Sequence, residues 1–126
     1  MKMENGINGR KNWVFCDGDL PPHGDNPDFL GHEALMITNV GKEDAHIRIK
    51  VLFEDKPPYD KITIDLPAER TTCLRLDFPI GKEQYQIPFG QYALHIISDV
   101  PVCACFGRLD VRQSNMAYYS LGGYSF

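Results

Sequence analysis

The chain has 126 residues, with thirteen Lys and Arg against seventeen Asp and Glu, for a formal net charge of −4. That length suits one domain with a modest core, a size that gains from oligomerisation, and the acidic balance argues against a phosphate-neutralising surface and a nucleic-acid partner. No run approaches the roughly 18 apolar residues of a membrane span, and the polar start MKMENGINGRKN lacks the apolar stretch of a secretory signal, so the expectation is a cytoplasmic single domain over 1–126 with residues 1–11 as a flexible lead-in.

A period of two dominates from the first candidate strand onward. Strand 12–17 carries Trp13 and Phe15, and is followed by a loop at 17–31 rich in Pro and Gly, a composition that holds a defined shape with little freedom to lose. A strand at 33–39 ends at the turn Asn39-Val40-Gly41. The clearest alternation is at 45–53, where Ile47, Ile49, Val51 and Phe53 interleave with His46, Arg48, Lys50 and Leu52, so one face is buried and the other mostly wet. After Pro57-Pro58, Ile62, Ile64 and Leu66 point inward. Beyond Pro67-Ala68-Glu69, Leu74, Leu76 and Phe78 are assigned inward, against Cys73, Arg75 and Asp77 outward. A second long loop covers 79–90, a strand 91–98, a turn Asp99-Val100-Pro101, and a strand 102–112. The tail from Met116 forms one more strand or a short helix. Its last three residues, turning away after Gly122-Gly123, are the first expected to fray. Seven to eight short strands with almost no helical pattern give an all-β class: an antiparallel, jelly-roll-like β-sandwich.

Cys16, Cys73, Cys103 and Cys105 sit in apolar strand candidates and are expected to act as small buried hydrophobes rather than disulfide partners. Cys103 and Cys105 share a strand face roughly 6.6–6.8 Å apart along the chain, a poor geometry for a bridge. No second Cys or His pair stands at zinc-site spacing.

The polar residues that draw attention are His32, Glu33, Arg70, Arg108, Asp110, Arg112 and Gln113. In an extended strand Arg108, Asp110 and Arg112 share one face. Such a stripe can hold a carboxylate, phosphate or sugar hydroxyl bidentately, and it serves equally well as an ion-pair network between strands or subunits. His32 and Glu33 point to opposite faces, so each needs a partner from elsewhere. Aromatic residues at strand ends and loops, Phe29, Tyr59, Tyr85, Phe89 and Tyr92 among them, suit a sugar ring or flat molecule or, alternatively, a core or subunit interface. Catalysis finds little support. His23, His32, His46 and His95 are scattered with no His-x-His, no Gly-x-Ser-x-Gly elbow occurs, and Asp17, Asp19 and Glu33 are glycosidase candidates only by default. No catalytic residue, metal site or cofactor is assigned.

Several short motifs in order resemble one family: the segment DLPPHGDNPDFLGHEALMITNVGKEDAHIRIKV from Asp19 to Val51, Pro67-Ala68-Glu69-Arg70-Thr71, Asp99-Val100-Pro101-Val102, and Arg108-Leu109-Asp110-Val111-Arg112-Gln113. From about Trp13 to Gln113 the chain resembles the soluble sensory rhodopsin transducers. The resemblance implies small β-sandwich protomers assembled as a homotetramer, and a signalling role in which a soluble protein contacts the cytoplasmic face of a membrane-bound sensory rhodopsin. For relatives without such a partner it implies binding of a small polar molecule or carbohydrate. The matching positions are Pro21-Pro22, His32-Glu33, Asp44-Ala45-His46, Pro67-Ala68, Arg70-Thr71, Arg108-Leu109-Asp110 and Arg112-Gln113. The aromatic tail at 118–126 departs from the family pattern. Three functions therefore stand open: a non-enzymatic module binding a small polar ligand or a signalling partner, a purely protein-binding transducer without ligand, and an unrecognised metal-dependent β-barrel enzyme.

Overall fold

The computed structural model describes residues 9–112 and 117–126. Eight strands follow one another: β1 (Arg10–Leu20), β2 (His32–Asn39), β3 (Ala45–Leu52), β4 (Tyr59–Leu66), β5 (Arg70–Arg75), β6 (Gly90–Asp110), β7 (Ala117–Leu121) and β8 (Tyr124–Ser125). All pairings are antiparallel, and no helix occurs among the described residues. The strands form one hydrogen-bonded network folded into two layers, β4-β3-β6-β1-β8 and β5-β2-β6-β7.

The long β6 is what joins the layers. Its first half lies between β1 and β3, and its second half between β2 and β7. The turn residues Asp99-Val100-Pro101 predict two strands, 91–98 and 102–112; the structure instead bends one strand there. Between Asn12↔Ile97 and Arg10↔Val102 the register with β1 slips, and Pro101, which has no N–H to give to a ladder, falls in that slip. Side chains secure the bend. Trp13 Nε1 donates to the Val102 carbonyl at 3.0 Å, and the Asp99 carboxylate accepts from the His46 amide at 2.8 Å.

The core fills the space between the layers with the alternate residues of each strand. Ile47, Ile49 and Val51 from β3, Leu94 and Ile96 from β6, and Ile62 from β4 meet Leu35 and Ile37 from β2, while Phe15 stacks on Phe106 across the sandwich at 5.8 Å. Phe78 breaks the expected alternation: β5 ends at Arg75, so Leu76 and Asp77 are buried while Phe78 stands 49 % exposed. The cysteines also differ from expectation. Cys16, Cys73 and Cys103 are exposed, Cys105 is half-buried, and none is in a disulfide. Cys103 and Cys105 share a face, as their spacing requires, but pair with Thr38 and Met36 on the outer side of the second layer.

The C-terminal end is tied to the start of β1. Residues 1–8 of the expected flexible lead-in lie outside the described residues, whereas Arg10 and Lys11 already belong to β1. The tail makes strands rather than a helix, and its end does not fray away. Gly123, at φ 70°, sits where a Cβ would stand 2.5 Å from the Phe15 ring, and Phe126 exchanges two backbone hydrogen bonds with Asn12, each 3.0 Å.

A bulge near the end of β1 sets up the functional region. Phe15 pairs with Leu94 and Gly18 with Tyr92, so β1 carries one extra residue. A Cβ on Gly18 would lie 2.6 Å from the Tyr92 carbonyl oxygen and 2.7 Å from its ring. Gly18→Ala is therefore expected to cost about 1–3 kcal/mol through forced backbone movement, read as a shift in urea midpoint at unchanged slope.

Candidate functional site

The bulge, the start of β2 and the end of β6 converge on a buried charged cluster. Glu33 and Arg108 are cross-strand partners in the β2–β6 register, on the inward face, and are 0 % and 6 % exposed. Arg108 Nε donates to Glu33 Oε2 at 2.7 Å. The rest of both groups is also occupied. Glu33 accepts from the Asp19 amide at 3.0 Å and from the Tyr92 hydroxyl at 2.5 Å. Arg108 Nη2 donates to the Asp17 carbonyl at 2.5 Å and lies 3.6 Å from its carboxylate, while Nη1 donates to the Tyr119 hydroxyl.

The electrostatics fit a closed pair. Burial works against the charge on Arg108, but the Glu33 carboxylate outweighs it and holds the guanidinium pKa above its ordinary value. Burial, with Glu33 beside it, pushes the Tyr92 hydroxyl far up, so it stays protonated and donates. Such a cluster, with each guanidinium nitrogen of Arg108 and each carboxylate oxygen of Glu33 engaged, ties β1, β2, β6 and β7 together.

Asp110 and Arg112 extend the cluster toward solvent. Arg112 chelates Asp110 at 2.6 and 3.0 Å and stands 3.6 Å from Asp19. The hydrogen bonds to Arg112 hold the Asp110 carboxyl below its usual range. The expected stripe is thus only partly a stripe: Arg108 is turned into the core, and Arg112 lies beyond the end of β6 and folds back. His32 is on the outer face, its Nδ1 2.8 Å from the Leu30 carbonyl. Arg70 is elsewhere. It pairs with Asn39, six residues along β2 from Glu33, or about 20 Å at the strand rise, and its guanidinium donates to the carbonyl of Glu69 at 3.1 Å. Gln113 lies outside the described residues.

A second buried carboxylate is Asp77, which the strand alternation assigns outward and the structure turns inward. Asp77 is 7 % exposed and accepts a fork from Arg75, at 2.8 Å from Nε and 2.7 Å from Nη2, with His23 Nε2 at 3.1 Å. The Arg75-x-Asp77 spacing, which puts both side chains on one side of an extended segment, was the available signal. Burial alone would raise the Asp77 pKa, but the Arg75 hydrogen bonds outweigh it and keep it below the ordinary value. A depressed folded pKa means stability that is complete above the unfolded value of about 3.9 and is lost as pH falls through the folded pKa. Urea melts at pH 5 and pH 3 should show that loss, and Asp77→Asn should make the acid limb shallower.

Among the described residues no group of three or more His, Cys, Asp or Glu is arranged to hold a metal ion, and no helix is long and apolar enough to cross a membrane. A surface hollow of about 290 Å³ lies between Phe29, His32, Arg75 and Leu109.

Comparisons with known proteins fit this architecture. The family model described as ASRT: Anabaena sensory rhodopsin transducer matches residues 8–125. The crystal structure of Thermotoga maritima 1070 is 34% identical, with a TM-score of 0.83 over 95% of this chain and 97% of that one. The structure of the Anabaena sensory rhodopsin transducer is 35% identical, with a TM-score of 0.69 over 85% of this chain and 94% of that one. No curated protein matches. With a family model spanning nearly the whole length and two solved structures above 30% identity, the chain belongs to the Anabaena sensory rhodopsin transducer family.

Proposed function

We propose that the chain is a non-enzymatic signal transducer that works by protein contact with a membrane-bound sensory rhodopsin on the cytoplasmic side. The observation that carries this reading is the closure of the arginine cluster: Arg108 is 6 % exposed and spends its donors on Glu33, Asp17 and Tyr119. A residue so engaged braces a surface rather than gripping a ligand. Four thiols outside disulfides, three of them exposed, suit a reducing compartment.

The working unit in this proposal is a homotetramer. The outer face of the second layer supports it, because Met36, Thr38, Cys73, Cys103 and Cys105 make rows without charge, a composition suited to burial against a second copy. Light scattering at micromolar concentration should give a tetramer mass; a monomer mass removes this part.

A small polar ligand such as a carbohydrate is the second reading, and one observation favours it. Phe29, 51 % exposed, borders the hollow that contains His32 and Arg75 and could stack on a sugar ring. Biolayer interferometry against sensory rhodopsin in lipid nanodiscs, with empty nanodiscs as control, distinguishes the two. Saturable binding to the rhodopsin discs alone is expected. Absence of binding, together with a thermal shift from a panel of sugars, would replace the first reading with the second.

A further inference from the structure

Beside the bulge of β1, two adjoining hollows of about 260 and 390 Å³ share Phe53, Glu54 and Gln91 and make one groove. It runs from Asp17 across the start of β6 to the exposed ring of Phe89. Its apolar floor comes from Phe53, Leu52 and Ala93, and its rim carries Asp17, Glu54 and Asp55. Glu54 and Asp55 form no ion pair within 4 Å among the described residues. Among the described residues the one cation lining the groove is the chain's own Lys56, whose Nζ stands 4.4 Å from the centre of the Phe53 ring.

An aromatic floor beside two uncompensated carboxylates is complementary to one kind of side chain: a long apolar stem ending in a positive charge. Lys56 already demonstrates the fit. We propose that this groove binds an extended lysine- or arginine-bearing segment of a partner protein, whose cationic head takes the place over Phe53 that Lys56 holds in the free chain. Lys56 is then a built-in competitor, and the Glu33–Arg108 brace has a purpose at the surface. By holding the Asp17 carbonyl, Arg108 fixes the bulge that forms one wall of the groove.

The partner's identity as a membrane receptor rests on the transducer reading; the groove's preference for cations does not. Fluorescence anisotropy with a fluorescein-labelled Gly-Arg-Gly-Arg-Gly peptide tests the groove with no receptor present, while the nanodisc experiment tests the transducer reading. The peptide should bind, and its citrulline counterpart should not. Lys56→Ala, on an exposed loop, should tighten binding about two- to five-fold, the size of one exposed cation–π contact. The double variant Glu54→Gln/Asp55→Asn and the exposed-site variant Phe89→Ser should each weaken it. No binding of the arginine peptide overturns the proposal. So does an affinity untouched by Lys56→Ala, or one lost only by raising salt and indifferent to the rim and ring variants, which would mark diffuse attraction to an acidic protein.

Discussion

Arg108→Ala is expected to cost about 3–5 kcal/mol, the range for removing one partner of a buried ion pair. The reason is what it leaves behind. Glu33 is 0 % exposed and would keep only the Asp19 amide and the Tyr92 hydroxyl to balance a full charge. For a domain whose whole stability is of order 5–15 kcal/mol, that loss should lower the melting temperature by about 10–20 °C. A guanidinium reserved for a ligand on an exposed strand face would behave oppositely, with binding gone and the melt within about 1 kcal/mol of wild type. The companion variant Glu33→Gln should be milder, because Arg108 keeps the Asp17 carboxylate at 3.6 Å as a counter-charge, whereas Glu33 without Arg108 has no cation beside it.

Removing the tail after Asn115 should produce the second large effect, a loss of about 3 kcal/mol or more in the chain itself, before any oligomer is considered. Two strands disappear. β7 covers the second half of β6 from Phe106 to Asp110, and β8 covers the edge of β1 at Trp13 and Val14. With them go Tyr119, whose ring lies 5.2 Å from the Arg108 guanidinium carbon, and the half-buried Leu121 packed on the core. Full burial of one large apolar side chain stabilises by roughly 1.5–3 kcal/mol, so partial burial of several, plus the Arg108 contact, reaches that figure. Differential scanning calorimetry of the truncated chain checks it; an unchanged melting temperature would mean that the tail is an independent arm.

The fold was legible where one face of a strand is wet and the other dry. β3 is the plainest case, since Arg48 and Lys50 alternating with Ile47, Ile49 and Val51 admit one orientation. β6 was harder because Asp99 and Pro101 are turn residues by chemistry, and only the change of neighbours from β1 and β3 to β2 and β7 turns that punctuation into a bend. The site was half legible. Glu33, Arg108 and Asp110 were singled out as charged residues on apolar strands, but nothing local could pair residues 75 positions apart. Register does that, and register is set by the whole sheet. The same limit put Arg70 with the others, although it sits at the far end of β2 and β5. Asp17 and Tyr92 reach the cluster through a one-residue bulge that no pattern in the sequence announces.

Arg108 spends its hydrogen bonds inside the protein, on Glu33, Asp17 and Tyr119. Its Nε–H, donated to Glu33 at 2.7 Å in a buried setting, should give a separate ¹⁵N–¹H resonance at neutral pH that exchanges slowly with water. That resonance should keep its position when sugars, inorganic phosphate or small carboxylates are added. An Nε–H that exchanges rapidly with solvent, or one that moves in a saturable way on addition of any of these, would contradict the account and return Arg108 to the role of a ligand-binding residue.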